Sequence, residues 1–215
     1  MKKIAALFLS GLFVATLSAT APAQDRYDRY ERYPGGGPPP PRAAGAPPPQ
    51  HAVYGQPYFF GHVGFFEPND DAPTLTGGGL GGYDTGGSFD FGIGSRVSPI
   101  LAIEGALGGF SAERGPDEVA VVPLTFGLRL IVPNPVIEPY LGAGLGMYIA
   151  DLKEPGIDDS DATIGGYVAI GMDAWLNPRM ALNFEGKYHF AKPEFNGIEV
   201  DVSGWTLGMG VRISF

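Results

Sequence analysis

The sequence predicts an all-β fold, a single closed barrel of eight antiparallel strands in up-and-down order, and three observations carry this prediction. The 215 residues include 34 glycines and 21 prolines, which disfavour helix, yet 44% are hydrophobic and 12% are aromatic. Eight segments alternate between bulky apolar residues and polar or small ones, which is the period of a β-strand. The connections between these segments alternate between short and long.

The strand-like segments begin at residue 57 and continue to residue 215. They span 57–66, 86–97, 100–111, 118–131, 136–151, 161–175, 179–190 and 199–215. Three connections are tight and rich in turn-forming residues, namely Ser98-Pro99, Pro133-Asn134-Pro135 and Asn177-Pro178. The other four are long and acidic, at 67–85, 112–117, 152–160 and 191–198. Short periplasmic turns and long extracellular loops are typical of transmembrane barrels of the outer membrane.

The two faces of the predicted strands differ in bulk and in charge. Leu124, Leu145 and Leu207 lie on faces that hold large apolar side chains. Arg129 and Glu185 lie on the opposite faces, among glycines and small residues. The interior of an eight-stranded barrel is just wide enough for side chains. We therefore expect the bulky residues to contact lipid and the ions to line the lumen, whereas a soluble lipocalin-like pocket would invert this arrangement.

The inward positions predict an ionic network of five acids and four bases. Its members are Asp90, Arg96, Glu104, Arg129, Glu138, Asp173, Glu185, Lys187 and Arg212. Ions removed from water need partners, and the near balance of charge fits a filled lumen. If the proline-rich turn closes residue 136 against residue 131, Arg129 lies opposite Glu138, and the Ser98-Pro99 turn places Arg96 diagonal to Glu104. A narrow small-solute or ion channel is the alternative interpretation of the same charges.

The segments before the barrel have their own signatures. Residues 1–23 are predicted to be a signal peptide, because Lys2 and Lys3 precede a short apolar run and Ala21-Pro22-Ala23 supplies small residues for cleavage. Residues 24–56 are rich in proline and glycine and predict a disordered periplasmic linker that could contact the cell wall. The predicted organisation is therefore signal peptide 1–23, linker 24–56 and transmembrane barrel 57–215.

Three motifs resemble those of a known family. They are Gly-Gly-Ser-Phe-Asp-Phe-Gly-Ile-Gly at 86–94, Pro-Tyr-Leu-Gly-Ala-Gly-Leu-Gly at 139–146 and the closing Gly-Val-Arg-Ile-Ser-Phe. With them, residues 57–215 resemble the eight-stranded OmpA/OmpX-type barrels of the outer-membrane β-barrel superfamily in Gram-negative bacteria, without a peptidoglycan-binding domain. The resemblance implies an outer-membrane location and a structural or surface-interaction role. It also implies that Trp205, Val211, Ile213 and Phe215 form the C-terminal signal that the outer-membrane insertion machinery recognises.

The sequence predicts neither an enzyme nor a cofactor. Barrel-type lipid A deacylases use a His followed two residues later by Ser, whereas His189 is followed by Ala191. The absence of cysteine excludes a thiolate metal site, and no metal is predicted. A surplus of 23 acids over 14 bases argues against nucleic acid as a partner and leaves outer-membrane lipids and lipopolysaccharide. A lipid-modifying enzyme and a soluble periplasmic binding barrel remain as less favoured alternatives.

Overall fold

The computed structural model describes residues 55–69, 78–154, 157–195 and 197–215. The predicted signal peptide lies outside the described residues, as does the linker apart from Gly55 and Gln56. No helix in the described ranges is long and apolar enough to cross a membrane. The strands, in chain order, are β1 Pro57–Pro68, β2 Gly78–Gly79, β3 Gly86–Ser98, β4 Leu101–Arg114, β5 Asp117–Ile131, β6 Ile137–Glu154, β7 Ile157–Asn177, β8 Met180–Phe190, β9 Glu194–Phe195, β10 Ile198–Asp201 and β11 Gly204–Ser214.

Eight of these strands close a barrel in the order β1-β11-β8-β7-β6-β5-β4-β3, with antiparallel pairing throughout. Neighbours in the barrel are consecutive barrel strands along the chain, and β1 pairs with β11 to close it. The predicted all-β, eight-stranded up-and-down barrel is therefore confirmed. The other three strands form a small sheet in the order β2-β10-β9.

Short turns occupy one end of the barrel, which we call the turn end. Asn177 accepts a hydrogen bond from the backbone of Arg179 at 2.9 Å, and Ser98 holds the β3–β4 turn in the same way at 3.3 Å. The third turn is longer than predicted, because Ile131 lies opposite Tyr140 instead of residue 136. Asn134 accepts from two backbone amides there, so the turn closes around its side chain.

The opposite end, which we call the loop end, differs from the prediction in three ways. The prediction of a loop at 112–117 is wrong, since β4 ends only at Arg114 and β5 already begins at Asp117. The two strands are joined by a two-residue turn in which Gly115 has φ +61°. Within the expected loop 152–160, residues 152–154 and 157–160 are strand, because β6 and β7 pair out to Glu154 and Ile157. The predicted last strand is divided, since β10 joins the small sheet and β11 begins only at Gly204.

The two faces of the barrel wall have the predicted sidedness. Leu124, Leu145 and Leu207 are 52%, 68% and 58% exposed on the outside, whereas Arg129 is 1% exposed inside. Large apolar side chains on the outer surface would be unfavourable in water, and they are what a lipid-facing band requires. The wall is therefore built to face hydrocarbon.

The sidedness predicts a depth-dependent cost for charge on the outer surface. Leu145 lies near the middle of β6, and Leu145→Arg should lower the free energy of unfolding by about 2–4 kcal/mol. Val136 lies in the turn of the same hairpin and is 61% exposed, so Val136→Arg should cost only about 0–1 kcal/mol. Denaturant titration in phospholipid bilayers measures both. Equal losses for the two variants would contradict a lipid-facing position for Leu145.

Candidate functional site: the ionic network of the lumen

Arg129 is the centre of the charges inside the barrel. Its guanidinium contacts carboxylates from three other strands, Glu104 on β4 at 3.0 Å, Asp173 on β7 at 3.6 Å and Glu185 on β8 at 3.5 Å. The guanidinium also lies 3.7 Å from the centre of the Tyr140 ring, a cation–π contact. Successive side chains of β5 point alternately out of and into the barrel, and Arg129 is at an inward position. Its guanidinium therefore connects β5 to three other strands of the wall.

A second group of contacts lies toward the turn end. Arg212 contacts Asp173 at 3.1 Å and Glu104 at 3.4 Å, so two guanidiniums share these two acids. The Tyr58 hydroxyl donates to Glu104 at 2.7 Å. Arg96 pairs with Glu138 at 3.0 Å, deeply buried on both sides.

A third group lies toward the loop end. The Lys187 ammonium contacts Asp90 at 2.6 Å and Glu185 at 2.9 Å. His62 bridges Asp90 and Asn183, with ring nitrogen to oxygen distances of 2.5 Å on both sides. Asn183 in turn donates from its amide nitrogen to Asp173, which joins this group to the centre.

The structure places all nine residues of the sequence-predicted network inside the barrel and in ion pairs, but with different partners. Arg129 does not lie opposite Glu138, because the longer turn shifts the register and puts Gly142 there. Arg96 lies opposite Ala102 and so diagonal to Glu104, as expected. Its ion pair nevertheless joins it to Glu138, since that carboxylate projects from β6 on the other side of β5.

The nine residues of the predicted network do not include the aromatic side chains of the lumen. Tyr140 stacks under Arg129, and Tyr167 faces the ammonium of Lys187 at 5.2 Å. Glycine provides the room, since a Cβ at Gly171 would collide with the Tyr140 ring. An inward glycine on one strand beside an inward tyrosine on the next is the sequence pattern that could have predicted these rings.

A set of apolar side chains, which we call the apolar cap, fills the loop end of the barrel. Its buried members are Phe66, Leu80, Tyr83, Phe110, Ala112, Val119, Val121, Tyr148, Ala150, Ala191, Phe195 and Val202. Leu80 and Val202 come from the connections beyond the barrel strands, and Phe66 and Phe110 stack with ring centres 4.3 Å apart. The cap explains why β4 extends beyond the predicted strand, because Ala112 in the added part is one of its buried members.

Little space remains among the charges. One cavity of about 30 Å³ lies beside His62, Asp90 and Lys187, another of about 10 Å³ beside Arg129, and a third of about 20 Å³ beside Arg96. Volumes of this size hold on the order of one or two waters each.

Two further groups of the lumen involve its histidines. His189 lies inside the lumen and contacts Tyr148 and Thr206. Among the described residues, His62, Asp90 and Glu185 are spaced closely enough to surround a cation, with atoms within 4.8 Å of one another. The Lys187 ammonium already contacts both of these carboxylates.

The C-terminal residues Trp205, Val211, Ile213 and Phe215 are all exposed on the outer surface. Phe215 stacks on Phe59 of β1, with ring centres 4.9 Å apart, and its amide donates to the Pro57 carbonyl at 3.1 Å. These contacts fix the last residue at the seam where the first and last strands meet.

The position of Arg129 predicts a large loss of stability when its charge is removed. Arg129→Met would remove one cationic partner from each of three buried carboxylates and should lower the free energy of unfolding by about 3–5 kcal/mol. Arg114→Met is the matched control, because Arg114 forms an exposed ion pair with Asp117 and should cost about 0–1 kcal/mol. Heat-dependent mobility and denaturant titration in micelles measure the difference. Similar losses for the two variants would contradict the central place of Arg129.

Comparison with solved structures places the fold among outer-membrane barrels. Neisserial surface protein A is 18% identical, with a TM-score of 0.55 over 74% of this chain and 96% of that one. OprG from Pseudomonas aeruginosa is 15% identical, with a TM-score of 0.57 over 77% and 98%. The N-terminal barrel domain of OprF from Pseudomonas aeruginosa is 12% identical, with a TM-score of 0.50 over 75% and 99%. At such identities the likeness concerns the fold alone.

A search of curated protein sequences finds no match. The family model described as "Outer membrane protein beta-barrel domain" matches residues 43–212, most of the chain. Together with the closed eight-stranded barrel and its apolar outer surface, this match assigns the location as well as the fold. The chain belongs to the outer membrane protein β-barrel domain family and is a protein of the outer membrane.

Proposed function

We propose that this protein is an integral outer-membrane barrel with a closed lumen and a structural or surface-interaction role. The observation that carries the proposal is the filling of the lumen. Arg129 and its carboxylates cross the middle, and the apolar cap lies above them toward the loop end. A solute would have to displace both layers.

The energetics of the two layers favour closure. Each buried ion of the network has partners within 4.0 Å, and separating a buried pair costs several kcal/mol because an unpaired charge remains. The cap adds side chains such as Phe66, Leu80 and Val202, which are at most 1% exposed and which water does not solvate. The cavities beside the network have volumes of about 10 to 30 Å³, which is room for on the order of one or two waters each.

The loop end is the surface that a partner would meet. Acidic side chains predominate there, and the few bases are paired with them, as Lys153 is with Glu118 and Lys192 with Glu199. A negative surface of this kind disfavours nucleic acid. We propose that it faces the lipopolysaccharide layer, while the outer surface of the barrel contacts membrane lipid.

The biogenesis proposed from the sequence completes this picture. Residues 1–23 would direct export, and residues 24–56 would lie in the periplasm and contact the cell wall. The outward residues of the final strand, Trp205, Val211, Ile213 and Phe215, would be recognised by the outer-membrane insertion machinery. Their common exposure on one face supports that role, because an incoming strand can then be bound by alternate side chains.

A closed lumen predicts that the purified protein gives no discrete conductance steps in planar bilayers. Combining Arg129→Ser with Glu185→Ser removes one long cation and one long anion, so the net charge of the lumen does not change. Adding Phe195→Ser weakens the cap. The triple variant should conduct where the native protein is silent.

Native protein that conducts in discrete steps would contradict closure and would favour a narrow small-solute channel instead. The single Phe195→Ser variant is the control for leakage through a loosened loop end. It should remain silent, because the ionic layer is intact.

A further inference from the structure

The charges of the lumen do not balance without one more cation. The network contains five carboxylates, Asp90, Glu104, Glu138, Asp173 and Glu185. Within the part of the chain that the structure describes, four permanent bases face them, Arg96, Arg129, Lys187 and Arg212. A buried charge without a partner is costly, so the fold favours a fifth cation near the acids. We propose that His62 is that cation, with a proton on both ring nitrogens in the folded barrel at neutral pH.

The hydrogen bonds of His62 require two donors. Its Nδ1 lies 2.5 Å from Asp90 Oδ1 and its Nε2 lies 2.5 Å from Asn183 Oδ1. A neutral imidazole carries one N–H, which would leave a ring lone pair facing an oxygen at the other contact. The imidazolium donates at both.

The side chain of Asn183 is oriented by its own partners. Its amide nitrogen donates to Asp173, a carboxylate that also contacts two guanidiniums and therefore acts as an acceptor. The amide oxygen consequently points to His62, and it also lies 3.2 Å from the Tyr140 hydroxyl, which donates to Glu185 at 2.9 Å. This oxygen cannot donate to the ring, so the proton between Asn183 and His62 belongs to His62.

The groups that face the ring from neighbouring strands are negative in sum. Asp90 faces it from β3, and from β8 come Glu185 and Lys187, whose ammonium is bound to both acids. On β11 the residue opposite is Gly210, which carries no charge. On β1 itself, Phe60 lies beside the ring with centres 5.6 Å apart. Two carboxylates and one ammonium thus leave a place for one further positive charge.

His189 provides an internal contrast. Its Nδ1 lies 3.1 Å from the Tyr148 hydroxyl and its Nε2 lies 3.2 Å from the Thr206 hydroxyl. The Tyr148 hydroxyl donates its own proton to the Gly166 carbonyl at 2.9 Å, so it accepts from Nδ1–H. The Thr206 hydroxyl, which also lies 3.3 Å from the Lys187 carbonyl, can donate to Nε2. A neutral ring with its proton on Nδ1 therefore satisfies both contacts. The two buried histidines of one lumen should therefore differ in protonation at the same pH, and this holds whether or not the lumen conducts.

Nuclear magnetic resonance of protein with ¹⁵N-labelled histidine, in lipid bilayers at pH 7, tests the proposal directly. The sequence has three histidines, so the His51→Gln/His189→Gln variant leaves His62 as the one observed ring. Both of its nitrogens should show a bonded proton. The matched His51→Gln/His62→Gln variant should show one protonated and one bare nitrogen for His189. A bare nitrogen on His62 overturns the proposal.

A second measurement covers the case in which loss of the His189 ring prevents insertion. His51→Gln alone leaves two buried rings, of which one must be an imidazolium. Adding Asp90→Asn removes the carboxylate at Nδ1, and the imidazolium signal should then be lost. Two neutral rings before that change, or an imidazolium that survives it, overturns the assignment to His62.

Discussion

The guanidinium of Arg129 is the contact on which the interior depends. It reaches carboxylates on β4, which is next to its own strand β5, and on β7 and β8, which lie two and three strands away on the other side, and it stacks on a ring from β6. At this depth most bulky residues face outward, and the buried apolar residues inside form only a small cluster of Tyr58, Phe60, Ala102, Ile131 and Tyr140. Charge-assisted contacts across the lumen therefore take the place that hydrophobic packing has in a soluble domain, and they do so where water could compete only through small cavities.

The lining of the lumen changes from ionic to apolar along the same strands. On β5 the inward side chains pass from Arg129 and Thr125 to Val121 and Val119 toward the loop end. The segments that carry Leu80 and Val202 fold over this region and bury their apolar side chains on it. An ionic middle under an apolar cover keeps the charges in a poorly hydrated space, which strengthens each pair and raises the cost of breaking one.

Most strand positions and their sidedness could be predicted, because a two-residue period is a local property of the sequence. Leu145 and Leu124 thus lie on the outer face of their strands, whereas Gly144 and Arg129 lie on the inner face. Register was less predictable. Pro133 and Pro135 suggested a tight closure, but the turn closes around the Asn134 side chain and shifts the partner of Arg129 to Gly142. Acids such as Glu113 and Asp117 suggested loops, although they lie at the ends of extended strands. Contacts across the lumen depend on the stagger of all eight strands, so the pairing of His62 with Asn183, 121 residues away, had no local signal.

The balance of charges in the lumen is related to whether the lumen conducts. A lumen that conducts cations would tolerate a surplus of carboxylate, because mobile ions from solution can neutralise it. A sealed lumen has no such supply, and its neutrality must come from its own side chains. Lys187 already stands between Asp90 and Glu185, and a proton on His62 makes the number of cations equal to the number of acids. The proposed proton on His62 and the proposed closure of the lumen are both consistent with this charge balance, and each can be measured without assuming the other.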